Sequence, residues 1–150
     1  MTQREDKFTE GAKTALHLAE EEAHNFNHNY IGTEHLLLGI MRDKNGMGAR
    51  VLNGMGLELS KLRSGVELIV GRGTRPPVGE PGLTPRSKRI IELAVDEARK
   101  LKHNFVGSEH LLLGMLQEGD GIAIGVLQNM QVDLGKVRQE VIHQLKSNSK

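Results

Sequence analysis

The chain has 150 residues, a length that suits one ordinary domain or two very small ones. It has no cysteine, which excludes disulfides, thiolate metal sites, iron–sulfur clusters and a thiol nucleophile. Twenty basic against nineteen acidic residues leave a formal charge of +1, and the aromatics are only Phe8, Phe26, Tyr30 and Phe105. That balance argues against a nucleic-acid or anionic-membrane surface and against a base-stacking platform.

The N-terminal Met1-Thr2-Gln3-Arg4-Glu5-Asp6-Lys7 is charged and leads into no apolar run, so it does not read as a secretory signal. A first helix starts at Thr9, a cap residue, with Ala12, Ala15, Leu16, Ala19 and Ala23 on one face at i, i+3, i+4 spacing. Thr33 is placed to cap a second helix through Leu36-Leu37-Leu38, apolar all round and therefore buried. The apolar stretch from Leu36 to Met41 is far shorter than the roughly 20 residues a membrane span needs. Gly46 precedes a short third helix through Val51-Leu52, and Leu59, Leu62, Val66 and Ile69 mark a fourth. Gly71 to Gly82 follows, with seven Gly or Pro in twelve residues, which is a linker and neither helix nor central strand.

The pattern then returns at a constant offset of 75. His28-Asn29-Tyr30-Ile31-Gly32-Thr33-Glu34-His35-Leu36-Leu37-Leu38-Gly39 recurs as His103-Asn104-Phe105-Val106-Gly107-Ser108-Glu109-His110-Leu111-Leu112-Leu113-Gly114. Aligning 8–70 with 83–145 needs no gap and matches 23 of 63 positions. Composition alone would match roughly 4. Thr84-Pro85 opens the second copy's first helix with a cap and a proline at the first helical position. Ser108, Gly121 and Leu134 mark the starts of the next three. The expected fold is all-α: eight helices as two four-helix repeats, about 8–70 and 83–145, packed around a pseudo-twofold axis. The two repeats form a single domain over 1–150, with the linker at 71–82 and a polar tail at 146–150.

Phe8-Thr9, Glu20-Glu21-Glu22-Ala23 and the duplicated box together resemble the N-terminal domain of Clp-family AAA+ unfoldases, most nearly the ClpC type. The resemblance covers about 8–145. It implies an eight-helix domain that docks adaptor and substrate proteins and passes them to an ATPase ring working with the ClpP peptidase. It also implies that the box glutamates, Glu34 and Glu109, read phosphoarginine as a degradation mark. A carboxylate can pair with the guanidinium end of that ligand. Backbone N–H groups at a helix start and the hydroxyls of Thr9, Thr33, Thr84 and Ser108 are the candidates for its phosphate. An acid in a first helical turn is also simply favourable with the helix dipole, so Glu34 and Glu109 have a purely structural reading as well.

No Walker A pattern is present: Gly135-Lys136 is followed by Val137 and preceded by Met130 where the first glycine belongs. Gly46-Met47-Gly48 and Gly119-Asp120-Gly121 follow no strand pattern, so they are not dinucleotide loops. With no ATPase module and no catalytic motif, the expectation is a binding module and not an enzyme, without cofactor or metal. His28, His35, His103 and His110 recur, but adjacent Glu34 and His35 point to different sides of a helix, so these rings read as structural hydrogen-bonding groups. Leu83, Phe8, Met47, Met55 and Met130 are candidates for an exposed docking patch, while Lys13 and Lys88 read as solvated positions. The expected setting is the bacterial cytoplasm or a plastid stroma, with the isolated domain monomeric and without nucleic-acid or membrane partners. The polar end Lys146-Ser147-Asn148-Ser149-Lys150 reads as the start of a linker to further domains. A free-standing accessory protein that modulates a Clp protease is the alternative.

Overall fold

Eight helices and two very short strands make up the described residues, 7–148, of the computed structural model. The first copy supplies α1 (Glu10–Asn25), β1 (Tyr30–Ile31), α2 (Thr33–Arg42), α3 (Met47–Gly54) and α4 (Leu59–Val70). The second supplies β2 (Gly82–Leu83), α5 (Pro85–Lys100), α6 (Ser108–Glu118), α7 (Ile122–Asn129) and α8 (Leu134–Asn148). No helix among the described residues is long and apolar enough to cross a membrane. Residues 71–81 form neither helix nor strand, and Gly82 already belongs to β2. The helix α8 continues through Lys146 and Ser147 to Asn148, so the polar tail expected at 146–150 is helical over its first three residues. Ser149 and Lys150, like residues 1–6, lie outside the described residues.

Local chemistry explains the helix starts. Thr9 and Thr84 hold extended backbone, and each side-chain oxygen accepts an amide three residues on, from Ala12 at 3.0 Å and Ser87 at 3.1 Å. The α1/α2 and α5/α6 pairs pack backbone to backbone. A Cβ built on Gly39 would lie 2.7 Å from the Ala19 amide nitrogen and overlap the Ala15 carbonyl oxygen. One built on Gly114 would meet the Ile90 carbonyl at 2.6 Å and the Ala94 nitrogen at 2.8 Å. The glycine closing each Leu-Leu-Leu-Gly run and the alanines at 19 and 94 are what this approach demands.

Each copy is clamped by a buried glutamate held by a partly exposed arginine. Glu22 accepts from Arg63 through both oxygens, at 3.1 and 2.8 Å, and from Arg42 at 3.1 Å. Glu97, 75 positions on, accepts from Arg138 at 3.3 and 2.8 Å. These bidentate bonds tie α1 to α4 and α5 to α8.

The copies are joined by crossed strand pairing. Tyr30 and Ile31 pair in parallel with Gly82 and Leu83, and Phe8 bridges Val106 in the pseudo-symmetric position. The Thr84 amide donates to the Ile31 carbonyl at 3.1 Å and the Thr9 amide to the Val106 carbonyl at 3.0 Å. The entry strand of each copy thus completes the box of the other. One hydrophobic cluster, including Leu37, Leu52, Leu62, Leu112, Leu127 and Val137, draws on both copies.

Candidate binding clefts between the copies

The box of each copy ends in a helix start built by a histidine. The N-caps of α2 and α6 are Gly32 and Gly107, not Thr33 and Ser108 as the sequence suggested. Glycine has no capping side chain, so the third helical residue reaches back instead. The Gly32 N–H donates to His35 Nδ1 at 2.9 Å, and the Gly107 N–H to His110 Nδ1 at 2.8 Å. An accepting Nδ1 fixes the proton on Nε2. That proton is donated to His28 Nδ1 at 2.8 Å in the first copy and to His103 Nδ1 at 2.8 Å in the second. In the first copy the relay ends with His28 Nε2 donating to the Gly71 carbonyl at 3.0 Å. Burial, then the neighbouring histidine's charge, lowers the His35 pKa to about 3 and that of His110 to about 4. All the ring nitrogens of the first-copy pair are satisfied within the protein, which supports the structural reading of these histidines.

Thr33 and Ser108 cap helices of the opposite copy. Thr33 Oγ1 accepts the Ala123 N–H at the start of α7 at 3.1 Å, and Ser108 Oγ accepts the Gly48 N–H at the start of α3 at 3.4 Å. Both hydroxyl hydrogens remain available to donate.

Glu34 is buried, and its carboxylate folds back against the Gly32 Cα. Burial raises its pKa, opposed by its own backbone amide, by the charge of His28 and by the Tyr30 hydroxyl. Tyr30 is raised in turn, first by burial and then by the Glu34 charge and hydrogen bond. Glu109 folds against Gly107 in the same way but is partly exposed, and its neighbour Phe105 is 59% exposed and has no hydroxyl to offer.

The crossed pairing sets the groups of the first box into a cleft shared by both copies. It has a volume of about 520 Å³ and is lined by Tyr30, Gly32, Thr33, Glu34 and Val70 of the first copy and by Thr84, Pro85, Arg86, Gly121 and Ile122 of the second. Three of the sequence-derived candidates, Thr33, Glu34 and Thr84, therefore meet in one place. Their counterparts Ser108, Glu109 and Thr9 are gathered by the equivalent pairing, with Thr9 bonded to Val106 two residues before Ser108. Thr84 is the most committed of the hydroxyls: it accepts from the Ser87 amide and donates to Ser87 Oγ at 2.9 Å.

Sequence reasoning missed Arg86. Its stem lies over Gly121, and it pairs with Glu118 at 3.0 Å and Asp120 at 3.4 Å. The signal was present, since position 11 of the first copy is glycine where the second has this arginine. Two residues offered for an exposed patch, Phe8 and Met47, are in the core, and Leu83, Met55 and Met130 pack partly buried against it. Among the described residues the exposed large apolar side chains are Leu68, Ile69, Val78 and Phe105. Among the described residues no group of three or more potential ligands is placed to hold a metal ion.

The Clp repeat (R) N-terminal domain model matches residues 7–120 and 82–150. The chain is 49% identical over 142 residues, 95% of its length, to chaperone protein ClpB of Oceanobacillus iheyensis. It is 48% identical over 140 residues, 93% of its length, to the ATP-dependent Clp protease ATP-binding subunit ClpA homolog of Guillardia theta. It spans only 17% of the length of each of these relatives. The fold matches the N-terminal domain of the chaperone ClpD from Arabidopsis thaliana with a TM-score of 0.82 at 23% identity, covering 94% of this chain and 96% of that one. It also matches a ClpV N-domain solved in complex with a VipB peptide, with a TM-score of 0.67 at 17% identity over 90% of this chain and 84% of that one. A duplicated box, each copy finished by the other's entry strand, and a family match spanning nearly every residue lead to one conclusion: the chain belongs to the Clp repeat N-terminal domain family.

Proposed function

We propose that this domain docks peptide segments of adaptors and substrate proteins and delivers them to an AAA+ ring that works with ClpP. The clefts centred on Glu34 and Glu109 are its contact points, and phosphoarginine is a ligand of the Glu34 cleft. The observation that carries this reading is the cleft itself, built jointly by both copies around the buried Glu34 carboxylate, which pairs with no lysine or arginine among the described residues. A guanidinium held against Glu34 supplies that missing charge. The Thr33 hydroxyl, free to donate, and the Arg86 guanidinium line the same cleft and suit a phosphate at the other end of the ligand. The ClpV N-domain, of the same fold, takes a peptide, which supports peptide docking here. The setting is the cytoplasm or a plastid stroma.

Calorimetry with free phosphoarginine tests the proposal. Binding should be lost in the Glu34→Ala/Glu109→Ala variant, and a pulldown of arginine-phosphorylated proteins should weaken in parallel. No heat at millimolar ligand with folded protein, or binding indifferent to both substitutions, overturns it.

A further inference from the structure

A groove crosses the pseudo-twofold axis at the end of α7 away from the Glu34 cleft. Ile122, the first residue of α7, lines that cleft, and Met130, just past its end, lines this groove. At about 1.5 Å per residue the two lie about 12 Å apart along the helix. Between the α3–α4 and α7–α8 turns the groove holds a cavity of about 470 Å³. Its walls are residue pairs 75 positions apart: Met55 with Met130, Leu57 with Val132, and Lys61 with Lys136. Two of the methionines that the sequence offered for docking thus meet here. Met55 and Lys136 also line a second cavity, of about 530 Å³, which continues between α3 and α8 past Gly54, Glu140 and His143. A glycine sets the copies apart at this point. A Cβ on Gly65 of α4 would already lie 3.3 Å from Val126 and 3.9 Å from the Met130 sulfur, so α4 sits tight against α7. The equivalent residue of α8 is Glu140, whose larger side chain leaves a gap between α8 and α3. The groove therefore extends from the axis along α8.

The floor of the groove is apolar, with Leu57 buried and Met55 and Met130 partly buried. Both lysines are exposed on its rim. The acids beside them have donors within the chain. Asp133 accepts the Lys136 N–H at 3.1 Å at the start of α8, and Glu140 accepts from the Gln144 amide at 3.2 Å. The cations are less committed. Lys61 has a contact of 4.0 Å with exposed Glu58, and the Lys136 ammonium makes no ion pair among the described residues. We infer that this groove docks a short acidic and apolar segment of an adaptor or substrate protein. An aliphatic side chain of the segment rests on the methionine pair, whose flexible thioethers adapt to its shape. A neighbouring Glu or Asp meets Lys136 and Lys61, which supply the complementary charge. This surface shares no lining residue with the Glu34 cleft and requires no phosphate on the partner.

The test is titration of the isotope-labelled domain with three matched short peptides, centred on Leu-Glu-Leu-Glu, Leu-Lys-Leu-Lys or Ser-Glu-Ser-Glu, followed by amide shifts. The Leu-Glu peptide should move the Gly54, Gly56 and Lys136 amides and leave those of Gly32 and Gly121 in place. The other two peptides should move none of them. Lys61→Glu/Lys136→Glu changes two exposed side chains and should weaken the Leu-Glu peptide about tenfold or more. Gly54→Trp, at a position where an added Cβ meets nothing within 4 Å, fills the gap between α3 and α8 and should also block it. Circular dichroism confirms that both variants fold. Leu-Glu binding that is indifferent to both variants overturns the inference. So does equal binding of the Leu-Lys peptide, or no shift along the groove at millimolar Leu-Glu peptide. Free phosphoarginine, titrated separately, reports on the Glu34 cleft alone: its failure to bind beside a responsive groove sinks that reading and leaves this one standing.

Discussion

Lowering the pH from 8 to 5 should cost the folded domain about 4 kcal/mol through two imidazole rings. His35 and His110 are fully or almost fully buried, each accepting a glycine amide on Nδ1 and donating from Nε2. Their pKa values fall to about 3 and about 4, against an ordinary 6.5. Between pH 6.5 and those values the unfolded chain binds protons that the fold does not, so stability drops as the solution is acidified. At pH 5 each ring lies about 1.5 units below its unfolded pKa, and about 1.4 kcal/mol per unit gives about 2 kcal/mol apiece. That is a large share of the 5–15 kcal/mol typical of a domain. Urea denaturation followed by circular dichroism at pH 8, 7, 6 and 5 measures it. The comparison protein is His35→Asn/His110→Asn, whose amide oxygens can still accept the glycine N–H groups. It should be less stable at pH 8 but lose about 4 kcal/mol less on acidification, and it keeps Glu34, whose burial-raised pKa acts in the opposite sense. Parallel pH slopes for the two proteins would refute the relay as the source of acid sensitivity.

The duplicated ion pair offers an internal control. Arg138→Met leaves Glu97 buried with no cation and should cost about 3–5 kcal/mol, while Arg63→Met should cost clearly less because Arg42 still holds Glu22. Equal losses in chemical denaturation would contradict this account. Gly39→Ala drives a methyl onto the α1 backbone and should lower stability by about 1–3 kcal/mol or more, whereas Gly54→Ala meets nothing within 4 Å and should gain a few tenths to about 1 kcal/mol from helix propensity. Thermal melts of the two variants side by side decide it.

The repeat, the eight helices and the cap residues Thr9 and Thr84 were legible because helical spacing and a gapless offset are written along the chain. What the copies do to each other was not. Tyr30–Ile31 and Gly82–Leu83 are two-residue strands, too short to show any alternation. Thr33 stood in front of an apolar run and read as the cap of its own helix, yet its oxygen serves Ala123, 90 positions away. Phe8 was a candidate for an exposed docking patch, yet it is buried in the core where it bridges Val106. Within the site, Glu34 and Glu109 were visible as a repeated letter. The partners that make them differ, Tyr30 against Phe105 and Arg86 against Gly11, were visible only as mismatches whose meaning depends on which residues face across the pseudo-twofold axis.

The crossed strands carry one more consequence. A single copy on this plan has an entry strand with nothing to pair with and a box with an open edge, and the two are complementary. Two identical copies would satisfy each other reciprocally, as in a twofold dimer, with both clefts the same by symmetry. Joining the copies in one chain makes that contact intramolecular and independent of protein concentration. It also releases the symmetry: a substitution at one copy, such as glycine at 11 opposite arginine at 86, alters one cleft and leaves the other intact.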